Sequence, residues 1–240
     1  MYNWKFNSSK ILVEQGTEIN KVNYWGGSPI FNACRCGNET IVKYLVEHGT
    51  NVNTKAFNGN SPLSEAYENG NDAIIKYLIK NTNEICKTLL FNACKTGNLE
   101  LIKILVEHGT NINKTYWNGG TPLFNACRSG NEALVKYLVE RRANINKTNE
   151  NGETPLFEAC KSGNEALVKY LVELGVDINK ARNNGETPLF DACLSCGNEA
   201  LVKYLVENGA NINKKSKNNE TPLIDTCRSG NEAIVKYLIE

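Results

Sequence analysis

Long apolar runs are missing from this chain. No stretch of about 18 apolar residues occurs in its 240, so no segment reads as a membrane span. An excess of charge is missing too. Twenty-seven basic residues face 26 acidic ones, a net charge of +1. That balance removes the broad attraction that nucleic acid or an anionic membrane would require. Histidine is scarce: His48 and His108 are the only two, and each stands just before a glycine, where a cation suits the end of a helix dipole. No H-E-x-x-H, P-loop or nucleophile-elbow pattern occurs. Met1 to Lys10 is polar with aromatics and lacks an apolar signal core. No cofactor or metal is therefore expected, nor a small-molecule substrate, and no enzyme activity.

Repetition is what the chain has in abundance. Ser28-Pro29, Ser61-Pro62, Thr121-Pro122, Thr154-Pro155, Thr187-Pro188 and Thr221-Pro222 each open a similar block, and Thr88 opens another with Leu89 in place of the proline. Successive starts are 33, 27, 33, 33, 33 and 34 residues apart. A period near 33 has room for two short helices and a turn.

The block from Asn151 to Asn183 shows how. Thr154 is a suitable N-cap, and Pro155 fits the first helical position, where its missing N–H costs nothing. Leu156, Ala159 and Cys160 share one apolar face, and Gly163 ends this helix. Glu165 opens a second helix with Leu167, Val168, Leu171 and Val172 as its buried stripe. Glu165, Lys169 and Glu173 recur every four residues on a solvated face. Gly175 stops the helix, Asp177-Ile178-Asn179 leads into a turn, and Gly185 supplies the positive φ of the next tight turn.

Read together, Gly152, Thr154-Pro155-Leu156-Phe157, Ala159-Cys160, Gly163, Val168, Leu171-Val172, Gly175 and Asp177-Ile178-Asn179 resemble the ankyrin repeat. The resemblance covers nearly the whole chain. It implies an all-α fold: an ankyrin-repeat solenoid of stacked helix-turn-helix pairs with short hairpin fingers. Two departures recur. Where the family pattern has the histidine of TPLH, this chain has Phe31, Phe91, Phe124, Phe157 and Phe190, with Ser64 and Ile224 as exceptions. Apolar packing is expected to replace the histidine's link between neighbouring repeats. At the family's second alanine stand Cys34, Cys94, Cys127, Cys160, Cys193 and Cys227, with Tyr67 as the exception.

Cut at its turns, the chain forms one array. A partial repeat spans 1–24, with Lys10 to Asn20 matching a second helix. Full repeats span 25–57, 58–84, 85–117, 118–150, 151–183 and 184–217, and a truncated repeat 218–240. Repeat 58–84 is six residues short, so Lys80 to Leu89 reads as a weak joint. One extra residue falls within Leu194-Ser195-Cys196. The polar outer face of a capping repeat is absent at both ends, as in a piece of a longer array.

The nine cysteines are read as reduced: six recur 33 or 34 residues apart (Cys34 to Cys94 excepted) as small core residues, and neither Cys34/Cys36 nor Cys193/Cys196 has partners spaced for zinc. Reduced thiols place the protein inside the cell, in the cytoplasm, with the nucleus left open. N-x-S/T triplets at Asn113 and Asn146 are expected by chance in so asparagine-rich a chain. Leu171 to Asn179 resembles the pattern at which some ankyrin repeats are hydroxylated, here on Asn179.

The resemblance implies that hairpin tips and first helices grip another protein or peptide in a concave groove. Function is then sought where repeats differ. Tip positions run Tyr24, Phe57, Glu84, Trp117, Glu150, Asn183 and Lys217, with Trp25 and Tyr116 beside them. Large aromatics in turns are costly to leave wet and dominate interface hot spots. On the first helices Arg35, Glu68, Lys95, Arg128, Lys161 and Arg228 share one position, and Glu65, Glu158, Asp191 and Asp225 another. The candidate partner-binding residues are Tyr24, Trp25, Phe57, Tyr116, Trp117, Arg35, Arg128 and Lys161. A protein-interaction module is the leading expectation. The alternative is a structural spacer or spring with no dedicated partner, which the near-identity of the repeats favours.

Overall fold

A computed structural model describes residues 16–82, 87–195 and 198–239. Among these residues there are fourteen α-helices and no strand. They follow one another in twos: α1 (Pro29–Arg35) and α2 (Glu39–Glu47), α3 (Pro62–Glu68) and α4 (Asp72–Asn81), α5 (Lys87–Thr96) and α6 (Leu99–Glu107), α7 (Pro122–Arg128) and α8 (Glu132–Glu140), α9 (Pro155–Ser162) and α10 (Glu165–Glu173), α11 (Pro188–Ser195) and α12 (Glu199–Glu207), α13 (Pro222–Ser229) and α14 (Glu232–Ile239). The fold is an all-α repeat solenoid. No helix of the described residues is long and apolar enough to cross a membrane.

Proline sets where the first helices begin. The pyrrolidine ring pushes the preceding residue out of the helical region, and Thr154 accordingly sits at φ −95°, ψ 167° ahead of Pro155. Only α5 lacks that proline, and it begins at Lys87 with Thr88 inside it. Thr154 does occupy the N-cap, but its hydroxyl makes no capping bond. The hydroxyls of Ser28, Thr121, Thr154 and Thr187 are all buried without a partner. The one block with serine three residues on differs: Ser61 accepts from the Ser64 N–H at 3.2 Å, and Ser64 Oγ accepts from the Ser61 N–H at 2.7 Å. Phenylalanine at that place offers packing and nothing to bond.

Second helices are capped by asparagine. The Oδ1 of Asn38, Asn71, Asn131, Asn164, Asn198 and Asn231 accepts the amide three residues on at 3.0–3.1 Å. The same side chain also reaches a neighbouring repeat: the Asn164 amide donates to the Gly130 carbonyl at 2.8 Å and that of Asn198 to Gly163 at 3.2 Å. Helices of seven to ten residues are too short to persist alone, so their stability comes from such links and from packing.

The described residues fall into two compact units: one takes those up to Leu90 with Glu100–Thr110, the other Phe91–Leu99 with those from Asn111 on. In the first unit α1 packs on α3 and α2 on α4. In the second, α7, α9, α11 and α13 stack in a row, and α8, α10, α12 and α14 in another. Leu156, Phe157, Ala159 and Cys160 of α9 and Leu167, Val168 and Leu171 of α10 are fully buried, with Val172 half-buried. Phe31, Phe124, Phe157 and Phe190 are buried as well, so phenyl packing does stand at the histidine position.

Five periodic thiols, Cys34, Cys94, Cys127, Cys160 and Cys193, are buried, but Cys227 is exposed. Its first helix, α13, has no further helix stacked on its outer side among the described residues, and Ile224 on the same helix is exposed too. Several expectations touch residues outside the described ones: 83–86 within the joint from Lys80 to Leu89 (Glu84 included), Cys196 within the inserted turn, residues 10–15 of the partial repeat, and Glu240.

Candidate functional site

The fingers are turns built by asparagine and glycine. In the first unit Asn23 Oδ1 accepts the amides of Trp25 and Gly27, each at 3.0 Å, while Gly26 takes φ 80°. The next finger joins it through one backbone bond, Phe57 N–H to Trp25 O at 3.1 Å. The junction is close: a Cβ on Gly26 would lie 3.0 Å from the Phe57 ring. The turn leaves the tip side chains outside. Tyr24 is 86%, Trp25 71% and Phe57 81% exposed, with Tyr24 and Trp25 edge to face at 6.0 Å. Arg35, at the end of α1, is exposed and donates to Asn32.

In the second unit the same turns carry different tips. Trp117 is 89% exposed. Its neighbour Tyr116, expected in the open, is half-buried with its ring 4.1 Å from that of Phe91. The phenyl that replaces the repeat's histidine gives Tyr116 something to cover. Glu150, Asn183 and Lys217 occupy the equivalent tips and are exposed. Backbone bonds again tie finger to finger, such as Glu150 N–H to Asn118 O at 3.0 Å and Asn183 N–H to Asn151 O at 2.8 Å.

The charged first-helix positions form a network. Arg128 Nε donates to Glu158 at 2.6 Å, and Lys161 contacts Glu153 at 3.0 Å and Glu158 at 3.4 Å. Arg182 lies within 2.8 Å of Glu153, pairs with Glu186, and covers the Phe157 ring at 5.5 Å. The three cations are held from within the chain, and the carboxylates of Glu153 and Glu158 are buried. Burial alone would raise Glu153, but bonds from Asn149, Lys161 and Arg182 outweigh it and hold its carboxyl at about 2. Arg182 was not among the sequence candidates. The available signal was its place four residues before Glu186, an i,i+4 pair outside any helix.

Other sequence features resolve structurally. Asn179 donates to the Gly209 carbonyl and accepts from the Asn211 amide, both at 2.8 Å, so both ends of its amide are engaged. His48 Nδ1 lies 2.8 Å from the Tyr44 carbonyl at the end of α2. Cys34 is buried while Cys36 is exposed. Among the described residues no three histidine, cysteine or acidic side chains converge to hold a metal ion.

No curated protein matches the chain. A family model described as ankyrin repeats, in three copies, matches residues 2–88, 81–149, 141–216 and 179–240. With the paired helices, the glycine-turned fingers and the repeated Thr-Pro starts, these matches across the chain place it in the ankyrin-repeat family.

Proposed function

We propose that the chain is a protein-interaction module that takes a partner protein or peptide on its finger tips and first-helix faces. Ankyrin repeats generally serve protein–protein interaction. The observation that carries the reading is the exposure of Trp117, at 89%, where equivalent fingers carry Glu150, Asn183 and Lys217. The scaffold does not need an aromatic there. Tyr24, Trp25 and Phe57 supply a second aromatic group on the first unit. Arg35, Arg128 and Lys161 are the charged contacts of the reading, and Tyr116 braces the finger behind Trp117. On this reading the repeats carry no catalytic role, and five buried cysteines that are in no disulfide support a reducing, intracellular setting.

The spacer reading has one observation in its favour. Helices α8, α10 and α12 share the sequence EALVKYLVE, with the same lysine-to-glutamate pair at 2.5 Å in each. The two readings part in an affinity capture with the wild-type chain and the Trp25→Ala, Trp117→Ala chain as baits. A module loses its captured partner in the double variant. A spacer retains the same background with both baits.

A further inference from the structure

Asp191 is a carboxylate short of a cation. It lies on α11 in the second unit, 4% exposed, between α9 and α13. Both neighbouring helices place a cation three residues after their acid: Glu158 meets Lys161 at 3.4 Å, and Asp225 meets Arg228 at 2.7 Å. On α11 that place is Leu194, which is 38% exposed.

Asp191 therefore borrows. Arg182 Nη1 stands 3.3 Å away and Lys161 Nζ 3.8 Å. Both are committed more closely elsewhere, Arg182 to Glu153 at 2.8 Å and to Glu186, Lys161 to Glu153 at 3.0 Å. From α9 comes also Glu158, whose other cation is Arg128 at 2.6 Å. From the α13 side come Asp225 and, ahead of it, Glu220, which share Arg228 at 2.7 and 2.8 Å. Arg128, Lys161 and Arg182 thus face four carboxylates, Glu153, Glu158, Glu186 and Asp191. One negative charge is left over, and Asp191 holds the longest contacts.

We propose that Asp191 is a proton-operated joint between the helix pairs α9/α10 and α11/α12, tight when the carboxyl is protonated and loosened when it ionises. Burial pushes its carboxyl up to about 6 against the pull of Arg182 and Lys161, from an ordinary 3.8. The folded state then holds the proton more firmly than the unfolded chain. Its stabilisation is complete below pH 3.8 and is lost as pH rises through about 6. Glu153 works with the opposite sign but titrates well below this window.

The test uses the intact wild-type chain. A side-chain carboxyl titration by NMR is expected to give Asp191 a midpoint near pH 6. Hydrogen exchange, corrected for its intrinsic pH dependence, is expected to show α11 amides losing protection between pH 5 and 7.5, by up to about a hundredfold for a two-unit difference in pKa. Leu194→Arg restores the missing cation and is expected to move the midpoint down by a unit or more. Asp191→Asn is expected to leave protection flat across the range. A wild-type midpoint below about pH 4.5 would overturn the proposal. So would a midpoint near 6 with unchanged protection of α11.

Discussion

At the residue scale, the phenylalanine that takes the repeat's histidine position has two consequences. It is buried at Phe31, Phe124, Phe157 and Phe190, and it leaves the hydroxyl that opens each of those four blocks, on Ser28, Thr121, Thr154 and Thr187, without a partner. Thr154 Oγ1 is buried with no partner, while Ser61 is bonded because Ser64 can answer it. A buried unpaired hydroxyl is a liability, and replacing it with a methyl of the same shape is neutral or favourable. Thr154 is already extended, a conformation valine accepts. Urea unfolding of Thr154→Val is therefore expected to match wild type or exceed it by up to about 1 kcal/mol. Ser61→Ala should lose about 1 kcal/mol, the usual worth of a cap.

The thiols give a second residue-scale expectation. Burial pushes Cys34 and Cys94 up to about 12, and raises Cys127 also, which removes the reactive thiolate. Under native conditions a bulky thiol reagent should label Cys36 and Cys227 ahead of the five buried thiols, which react only on unfolding, as mass spectrometry of the labelled peptides will report. Cys127→Ala should cost less than about 1.5 kcal/mol, since the volume change is small. Rapid labelling of Cys127 or Cys160 in the folded protein would refute their core role.

At the element scale, Asn71, Asn164 and Asn198 each serve a second helix twice, as its cap and as a bond to the preceding repeat. Asn164 caps Leu167 at 3.0 Å and holds the Gly130 carbonyl at 2.8 Å. Losing a cap alone costs about 1 kcal/mol, and losing a further hydrogen bond adds about 1 kcal/mol more. Asn164→Ala is therefore expected to cost about 2 kcal/mol in denaturant unfolding. A loss no larger than that of an ordinary cap would show the inter-repeat bond to be idle. The helices were legible in the sequence because proline, glycine and apolar spacing act locally. Glu165 is the first residue of α10, as its acidic charge at a helix start suggests, and the cap is Asn164, one place earlier. What proved illegible depends on neighbours 30 or so residues away. Tyr116 looked like an exposed tip until Phe91 lay beneath it. Cys227 looked like its five periodic counterparts, yet no helix covers it among the described residues. Arg182 sits in a turn and gathers acids from two blocks.

At the scale of the whole molecule, shared residues build the solenoid and differing residues remain outside it. Leu156, Cys160, Leu167 and their counterparts repeat because every helix pair must bury the same face. Tyr24, Trp25, Phe57 and Trp117 do not repeat beyond the tip of the fourth finger, and the folded chain leaves them in solvent. Truncating an interface anchor typically costs about 2 kcal/mol or more, near thirtyfold in affinity, whereas an exposed turn residue changes stability by less than about 0.5 kcal/mol. The most direct test measures both quantities on the same proteins: the Kd for the captured partner and the urea midpoint, for wild type, Trp25→Ala, Trp117→Ala and the double variant. The expected result is a loss of affinity of thirtyfold or more with midpoints unchanged. Early unfolding of the variants, or wild-type affinity in the double variant, would contradict a binding surface made of exposed aromatic tips.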